Sequence, residues 1–341
     1  MSAKEVMLKA INMEKPERVP ALLFSGGVWT FNNRGYNLEE LQGKPKLIAQ
    51  IIIETNEEVG SDAVWTGSGY NNLLVRALGG RVKFREKGAL DVPEPFIKDA
   101  ANIDQVDPGR LADDEGIRGL WESAALVDRA IGQDTLIGAC GWGPFTLAGQ
   151  LYGVEKLMFN MYKDKASVHA VVDFAAEVSF RYYEPYVKAG ARVISVAEPS
   201  ASGDLISRRH FEEFALPYLK KINSRLKEVG ASVLVHICGD ITNRLDLLPD
   251  SGADVLSVDY KVDLARVKEV VGYKIAFAGN VNPVAILENG TPAEVAAASR
   301  ECIEKSGQQG NFILMAGCDI PPTVPLANIK ALIETGANWR L

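Results

Sequence analysis

Residues 231–281 read ASVLVHICGDITNRLDLLPDSGADVLSVDYKVDLARVKEVVGYKIAFAGNV, and the alternation within this stretch decides the fold. It holds three apolar, β-branched runs, ASVLVHICG (231–239), ADVLSVDY (253–260) and KIAFAGNV (274–281). Each follows a glycine of the kind that ends a helix, in KEVG, DSG and VVG. Near-continuous hydrophobic strands separated by helical segments predict a parallel sheet covered by helices.

Working outward, five further runs have the same character: RVPALLF (18–24), DAVWTG (62–67), DTLIGACG (134–141), RVISVAEP (192–199) and NFILMAGCD (311–319). VKAG precedes the fourth strand of the chain and QQG the last. Eight strand–helix units favour a closed (β/α)8 TIM barrel over a doubly wound sheet. No G-x-G-x-x-G follows any of the strands, which removes the dinucleotide-binding signature of the open alternative. The expectation is one barrel domain over 1–341, with an N-terminal helix and an insertion near 85–125. That insertion carries Pro93, Pro95 and Pro108 and reads as irregular until a helix near 115–130.

Composition narrows the class of function. The 341 residues are 47% hydrophobic and carry a net charge of −7, with no basic cluster of the kind that follows a phosphate backbone. No apolar run approaches the ~18 residues of a membrane helix. The N-terminal segment MSAKEVMLKAINMEKPERVP lacks a signal-peptide core, which predicts a cytoplasmic protein. In a reducing compartment the four cysteines, Cys140, Cys238, Cys302 and Cys318, serve packing, reactivity or metal binding rather than disulfides.

The chemistry gathers at strand ends. Side chains two apart on a strand share a face, so His236 and Cys238 project together at the carboxyl end of VLVHIC. LMAGCD brings Cys318 to the same end 80 residues later, and SVAEP adds Glu198. Zinc favours such nitrogen and sulfur ligands in a tetrahedral arrangement, and three of them leave one position for a substrate atom. Glu198 is a candidate fourth, displaceable ligand. Asp259, at the end of the sixth strand, and Asn280 and Asn282, at the end of the seventh, are candidate substrate or supporting groups.

AGARVISVAEPSASGDLIS (189–207), VLVHICGD (233–240), ADVLSVDYKVDL (253–264), AGNVNPVAIL (278–287) with GTPAEV (290–295), and AGCDIPPTVPLANIKAL (316–332) together resemble the uroporphyrinogen decarboxylase superfamily. The resemblance is to its methylcorrinoid:coenzyme M methyltransferase branch. EKPERVP (14–20) and GWGPFTLAGQLYGVEKLM (141–158) extend it over nearly the whole chain. It implies that His236, Cys238 and Cys318 bind zinc and that the substrate is a small thiol such as coenzyme M, activated as a zinc thiolate. A substrate-side methyltransferase, moving a methyl group from a methoxylated, methylamine or thioether donor onto Co(I) corrinoid, is the alternative; a tetrapyrrole decarboxylase is the next. Glu198 stands where that branch often has Asp, and Asp319 where it commonly has Gly. The decarboxylases carry an R-Q-A-G-R segment after the first strand; here the place reads FSGGVWTFNNRG (24–35), in which Arg34 is the one cation.

Methyl transfer to sulfur needs a thiolate, since the neutral thiol is a poor nucleophile, and metal coordination removes the proton. D-x-H-x-x-G, a corrinoid-binding signature, is absent, so the corrinoid (methylcobalamin) is expected on a separate partner protein. Glu198 and Asp259 are the candidate catalytic carboxylates, and Trp142 and Asn280 the candidate cofactor contacts. Trp29, Tyr70 and Asn71 are further candidates to line a pocket with Trp142. Cys302 reads as a core residue of a helix, Cys140 as packing at a strand end, and His169 and His210 as helix residues without a catalytic role.

Overall fold

The computed structural model describes residues 1–307 and 309–341. Seven strands form one parallel sheet in chain order: β1 (Ala63–Thr66), β2 (Leu136–Trp142), β3 (Val193–Ala197), β4 (Ser232–Ile237), β5 (Val255–Val258), β6 (Ala276–Val281) and β7 (Phe312–Ala316). Every pair is parallel, as the helices between them require. Gly190 and Gly230, just past the helices Lys165–Lys188 and Leu216–Glu228, take the positive φ that ends a helix at low cost. Gln308, within the expected QQG cap, lies outside the described residues; the helix Pro292–Ser306 is capped at Gly307.

The run 18–24, expected as the first strand, is not a strand. Pro20 has no N–H to give a ladder. What forms instead is a single parallel bridge, Ala21 to Leu314. Around it the Leu314 amide donates to the Pro20 carbonyl (2.9 Å) and the Leu22 amide to the Leu314 carbonyl (3.1 Å). On its other side the Asp62 amide donates to the Ala21 carbonyl (3.0 Å), and Leu23 N–H donates to Ser61 Oγ (2.9 Å). This extended segment therefore stands between β7 and β1 and completes a TIM-barrel-like α/β fold.

The interior follows from strand alternation. Leu22, Trp65, Leu136, Val193, Leu234, Val255, Ala276 and Ile313 form a buried layer inside the ring. Met7, Ala10 and Ile11 of the N-terminal helix Ala3–Ile11 pack against it and close the amino-terminal end. Toward the carboxyl ends the inward residues change character, to Ser195 on β3, His236 on β4 and Ser257 on β5, all buried. The apolar floor thus holds up a polar upper layer. The insertion holds two 3-10 turns, Ala100–Gln105 and Pro108–Asp113, before the helix Glu115–Ile131. Among the described residues no helix is long and apolar enough to cross a membrane.

A partly buried ion pair fastens the closing segment. Arg18 Nη1 and Nη2 donate to the two Asp62 carboxylate oxygens (2.7 and 2.6 Å), and the Ala21 amide donates to the same carboxylate (2.8 Å). Removing Asp62 strands a half-buried guanidinium and frees the segment. Asp62→Ala is expected to lower the unfolding free energy by about 3 kcal/mol, read as a shifted urea midpoint. A loss under about 1 kcal/mol would show that the ring closes without this pair.

Candidate metal centre and cavity

β4 pairs with β5 so that His236 lies opposite Ser257. His236 Nδ1 is 2.8 Å from Ser257 Oγ, which turns Nε2 toward Cys238 Sγ at 3.1 Å. Cys238 Sγ is 3.2 Å from Cys318 Sγ, which follows the end of β7 at a bend after Gly317. The three donor atoms lie within 4.8 Å of one another. Neighbouring sulfur ligands on a tetrahedral zinc, each at about 2.3 Å, stand roughly 3.8 Å apart, a spacing within reach of these side chains. Two thiols, an imidazole and a hydroxyl that fixes the ring are a donor set that fits zinc. Among the described residues no fourth His, Cys, Asp or Glu joins the group.

The local electrostatics favour one thiolate in the pair. The S–H of one cysteine stabilises the sulfur anion of the other, and the imidazole adds to it. The first ionisation is therefore held well below the ordinary thiol value and the second is pushed far above it. Cys140 lines the same cavity but is pushed up to about 12, chiefly by burial, and remains a neutral thiol.

The trio opens on a cavity of about 240 Å3, lined also by Phe24, Asn71, Asn72, Trp142 and Ser195. Trp142, expected as a cofactor contact, does line it, with its indole N–H donated to Asn72 Oδ1 (2.7 Å). Asn71 lines it as well. Trp29 and Tyr70 do not: they are core residues whose polar atoms donate to the carbonyls of Val324 (2.8 Å) and Leu38 (3.1 Å).

The other expected site residues have these partners in the structure. Glu198, expected as a fourth ligand and a catalytic carboxylate, is fully buried, and Phe145 and Thr146 N–H donate to its two oxygens (2.9 and 2.7 Å). These are orphan amides at the start of the helix Pro144–Tyr152, where a carboxylate is the natural partner. Asp259, the other catalytic candidate, accepts from the amides of Gly239 (2.9 Å) and Lys261 (3.0 Å), and so shapes the turn that follows Cys238. Asn280, expected at the cofactor, donates to the carbonyls of Asp259 (3.0 Å) and Val262 (2.7 Å), and Cys302 Sγ donates to its Oδ1 (3.6 Å). Asn282 caps the turn Pro283–Glu288 by accepting from Val284 and Ala285 N–H (3.0 and 2.9 Å). Ser257 and Ser195 are the site residues the sequence reading missed. The signal was there: each is a lone hydroxyl at an inward position of an apolar strand.

The family profile for uroporphyrinogen decarboxylase (URO-D) matches residues 2–339. The chain belongs to that family. A methylcobamide:CoM methyltransferase, MtbA, from Methanosarcina acetivorans is 34% identical over 341 residues, covering 99% of this chain and 98% of that protein. Its counterpart from Methanosarcina mazei is 29% identical over 345 residues, covering 99% and 98%. Among solved structures, a methyltransferase from Methanosarcina mazei superposes with a TM-score of 0.90 at 28% identity, covering 99% of this chain and 98% of that one.

The buried Glu198 carboxyl has a measurable consequence. Burial pushes it up from 4.5 to about 7, against the pull of the two amides. The folded chain therefore keeps this proton where the unfolded chain has lost it, and stability falls as pH rises from 4.5 through 7. Glu198→Gln is expected to remove about 3 kcal/mol of that decline, measured by urea unfolding of the metal-free protein near pH 5 and pH 8. A decline equal to the wild type's would show that Glu198 is ionised throughout.

Proposed function

We propose that this protein is a zinc-dependent methyltransferase that moves a methyl group between a separate corrinoid protein and a small thiol, the relatives' thiol being coenzyme M. The observation that carries the reading is the convergence of His236, Cys238 and Cys318 within 4.8 Å on the wall of a cavity. A structural zinc is enclosed by four protein ligands, whereas a catalytic one keeps a position open. Three donors facing a cavity fit the second kind.

Bound at the trio, zinc supplies a coordination that deprotonates a substrate thiol near neutral pH. The remaining work falls to this chain's residues. His236 is held in one tautomer and orientation by Ser257. Asp259 holds the Gly239 amide and with it the backbone just beyond Cys238. The thiolate lone pair forms the new carbon–sulfur bond while the pair of the old bond leaves with the methyl donor. Trp142 and Phe24 give the cavity apolar walls that keep water from that sulfur.

A cavity of about 240 Å3 accepts a small molecule, below the ~300–1,000 Å3 of most cofactor pockets, so a corrin must approach from outside. Leu205 and Tyr260 stand exposed on the loops after β3 and β5, which Lys261 and Asp204 tie together (2.7 Å), and Val284 is exposed after β6. An apolar rim around the mouth is what a docking protein would cover. A uroporphyrinogen-type decarboxylase is the weaker reading. Arg34, the cation expected nearest its carboxylate grip, pairs with Glu58 (2.7 Å) away from the cavity.

Metal analysis should find about one zinc per wild-type chain and far less in Cys318→Ala. Methyl transfer from methylcobalamin to a thiol should fall in parallel, by about 100-fold or more. Zinc retained in full by the variant would sink the ligand assignment. Ser257→Ala leaves all three ligands but frees the imidazole, and is expected to weaken zinc affinity about 10-fold, read by competition with a chromogenic chelator. Unchanged affinity would show that Ser257 does not orient His236.

A further inference from the structure

Residues 81–92, at the start of the insertion, are folded largely on themselves. Lys83 and Asp91 exchange both backbone hydrogen bonds (2.9 Å each), and Arg85 Nε and Nη2 donate to the Asp91 carboxylate (2.7 and 2.6 Å). The apolar side of this hairpin, Val82, Phe84, Leu90 and Val92, rests on the core. Ala89 is exposed and lines the cavity beside His236, Cys238 and Cys318, while Leu90 next to it is buried. Among the described residues, one hydrogen bond joins the hairpin to the rest of the chain. Asn72 Nδ2 donates to the Leu90 carbonyl (2.7 Å).

The other arm of the same amide reaches the cavity wall, where Asn72 Oδ1 accepts from Trp142 Nε1 (2.7 Å). An indole N–H only donates and a carbonyl only accepts, so these two partners assign both ends of the Asn72 amide. Trp142 pairs with Ala197, and Ala197 with His236, so the indole stands level with His236 across one strand. The Trp142 carbonyl accepts from Ser179 Oγ and Tyr183 Oη (3.1 Å each), which fixes the backbone and leaves the ring to Asn72. Asn72 is itself buried, so losing either partner leaves a polar group unpaired out of water. The hairpin at the mouth and the ring on the wall are thus held through one side chain.

We propose that residues 81–92 are a lid on the cavity, and that Asn72 is its latch and the positioning residue for Trp142. One side chain then closes the mouth and sets the wall beside His236. The lid rests on geometry alone; its use, to keep water from a reacting sulfur, rests on the methyltransferase reading.

The cysteines report on the lid. Cys238 and Cys318 line the cavity behind it, whereas Cys302 borders a separate hollow. In the full-length, metal-free protein, alkylation by a bulky iodoacetamide is followed by peptide mass. Asn72→Ala should label Cys238 and Cys318 about tenfold faster than the wild type, with Cys302 unchanged. Asn72→Asp keeps an acceptor for Trp142 but sets a carboxylate oxygen against the Leu90 carbonyl, and should also label faster. Near-ultraviolet circular dichroism then separates the two variants. The Trp142 contribution, taken as the difference from Trp142→Phe in each background, should be lost in Asn72→Ala and kept in Asn72→Asp. Wild-type labelling rates in both variants overturn the lid, as does equal acceleration at Cys302, which a general loosening would give. A Trp142 signal kept in both variants, or lost in both, overturns the positioning role. If labelling and dichroism follow these expectations but the wild type, loaded with zinc, methylates no thiol from methylcobalamin, the methyltransferase reading falls and the lid stands. Thiol methylation by the wild type with labelling unmoved by the variants does the reverse.

Discussion

Neighbouring strands in a sheet lie about 4.8 Å apart, so β4 and β7, three positions apart, would sit roughly 14 Å from each other if the sheet lay open. Yet Cys238 and Cys318 bring their sulfurs to 3.2 Å. Only a sheet bent round on itself allows that, and the bend is held by the short segment between β7 and β1. Its bonds to Leu314, Asp62 and Ser61 are few, and Pro20 denies it a full ladder. Arg18 and Asp62 supply the fastening that the missing ladder would have given. The meeting of His236, Cys238 and Cys318 is thus a consequence of ring closure as much as of the three residues themselves.

Much of this was legible because a parallel barrel writes itself twice into a chain, as apolar runs and as the glycines between them. Seven of the eight expected runs contain a strand. The eighth, 18–24, fills its place with the hydrogen bonds of an isolated bridge, since a proline interrupts it. Alternation also placed His236 and Cys238, because no backbone irregularity precedes them on β4. It does not carry through to Asn280. Gly279 takes φ +149°, a conformation L-residues avoid, and the inward row of Ala276 and Ala278 breaks there. The Asn280 side chain then turns to the carbonyls of the neighbouring loop.

Glu198 shows a different kind of gap. Its place at a strand end next to β4 was read correctly, and its backbone N–H does donate to the His236 carbonyl (2.8 Å). What no strand pattern could show is that the helix beginning at Pro144 aims two free amides at the same spot. Gly143 permits the approach: a Cβ there would come within 2.5 Å of the Glu198 carboxyl. The helix start thus gives the Glu198 carboxyl two partners that are already fixed in place.

Cys140 makes the same point about environment from inside the cavity. It shares that cavity with Cys238 and Cys318. Apolar burial raises its thiol to about 12, and its Sγ approaches only the Thr66 carbonyl, at 4.0 Å. Cys238 and Cys318 differ from it in having each other and an imidazole within about 3 Å, a charge-sharing arrangement that releases a proton cheaply. Three cysteines lining one cavity therefore divide into a charge-sharing pair and a third that stays a neutral thiol. A fold common to decarboxylases and methyltransferases leaves its chemistry to such neighbourhoods. In this chain that neighbourhood is a pair of thiols and an imidazole gathered on the wall of a cavity.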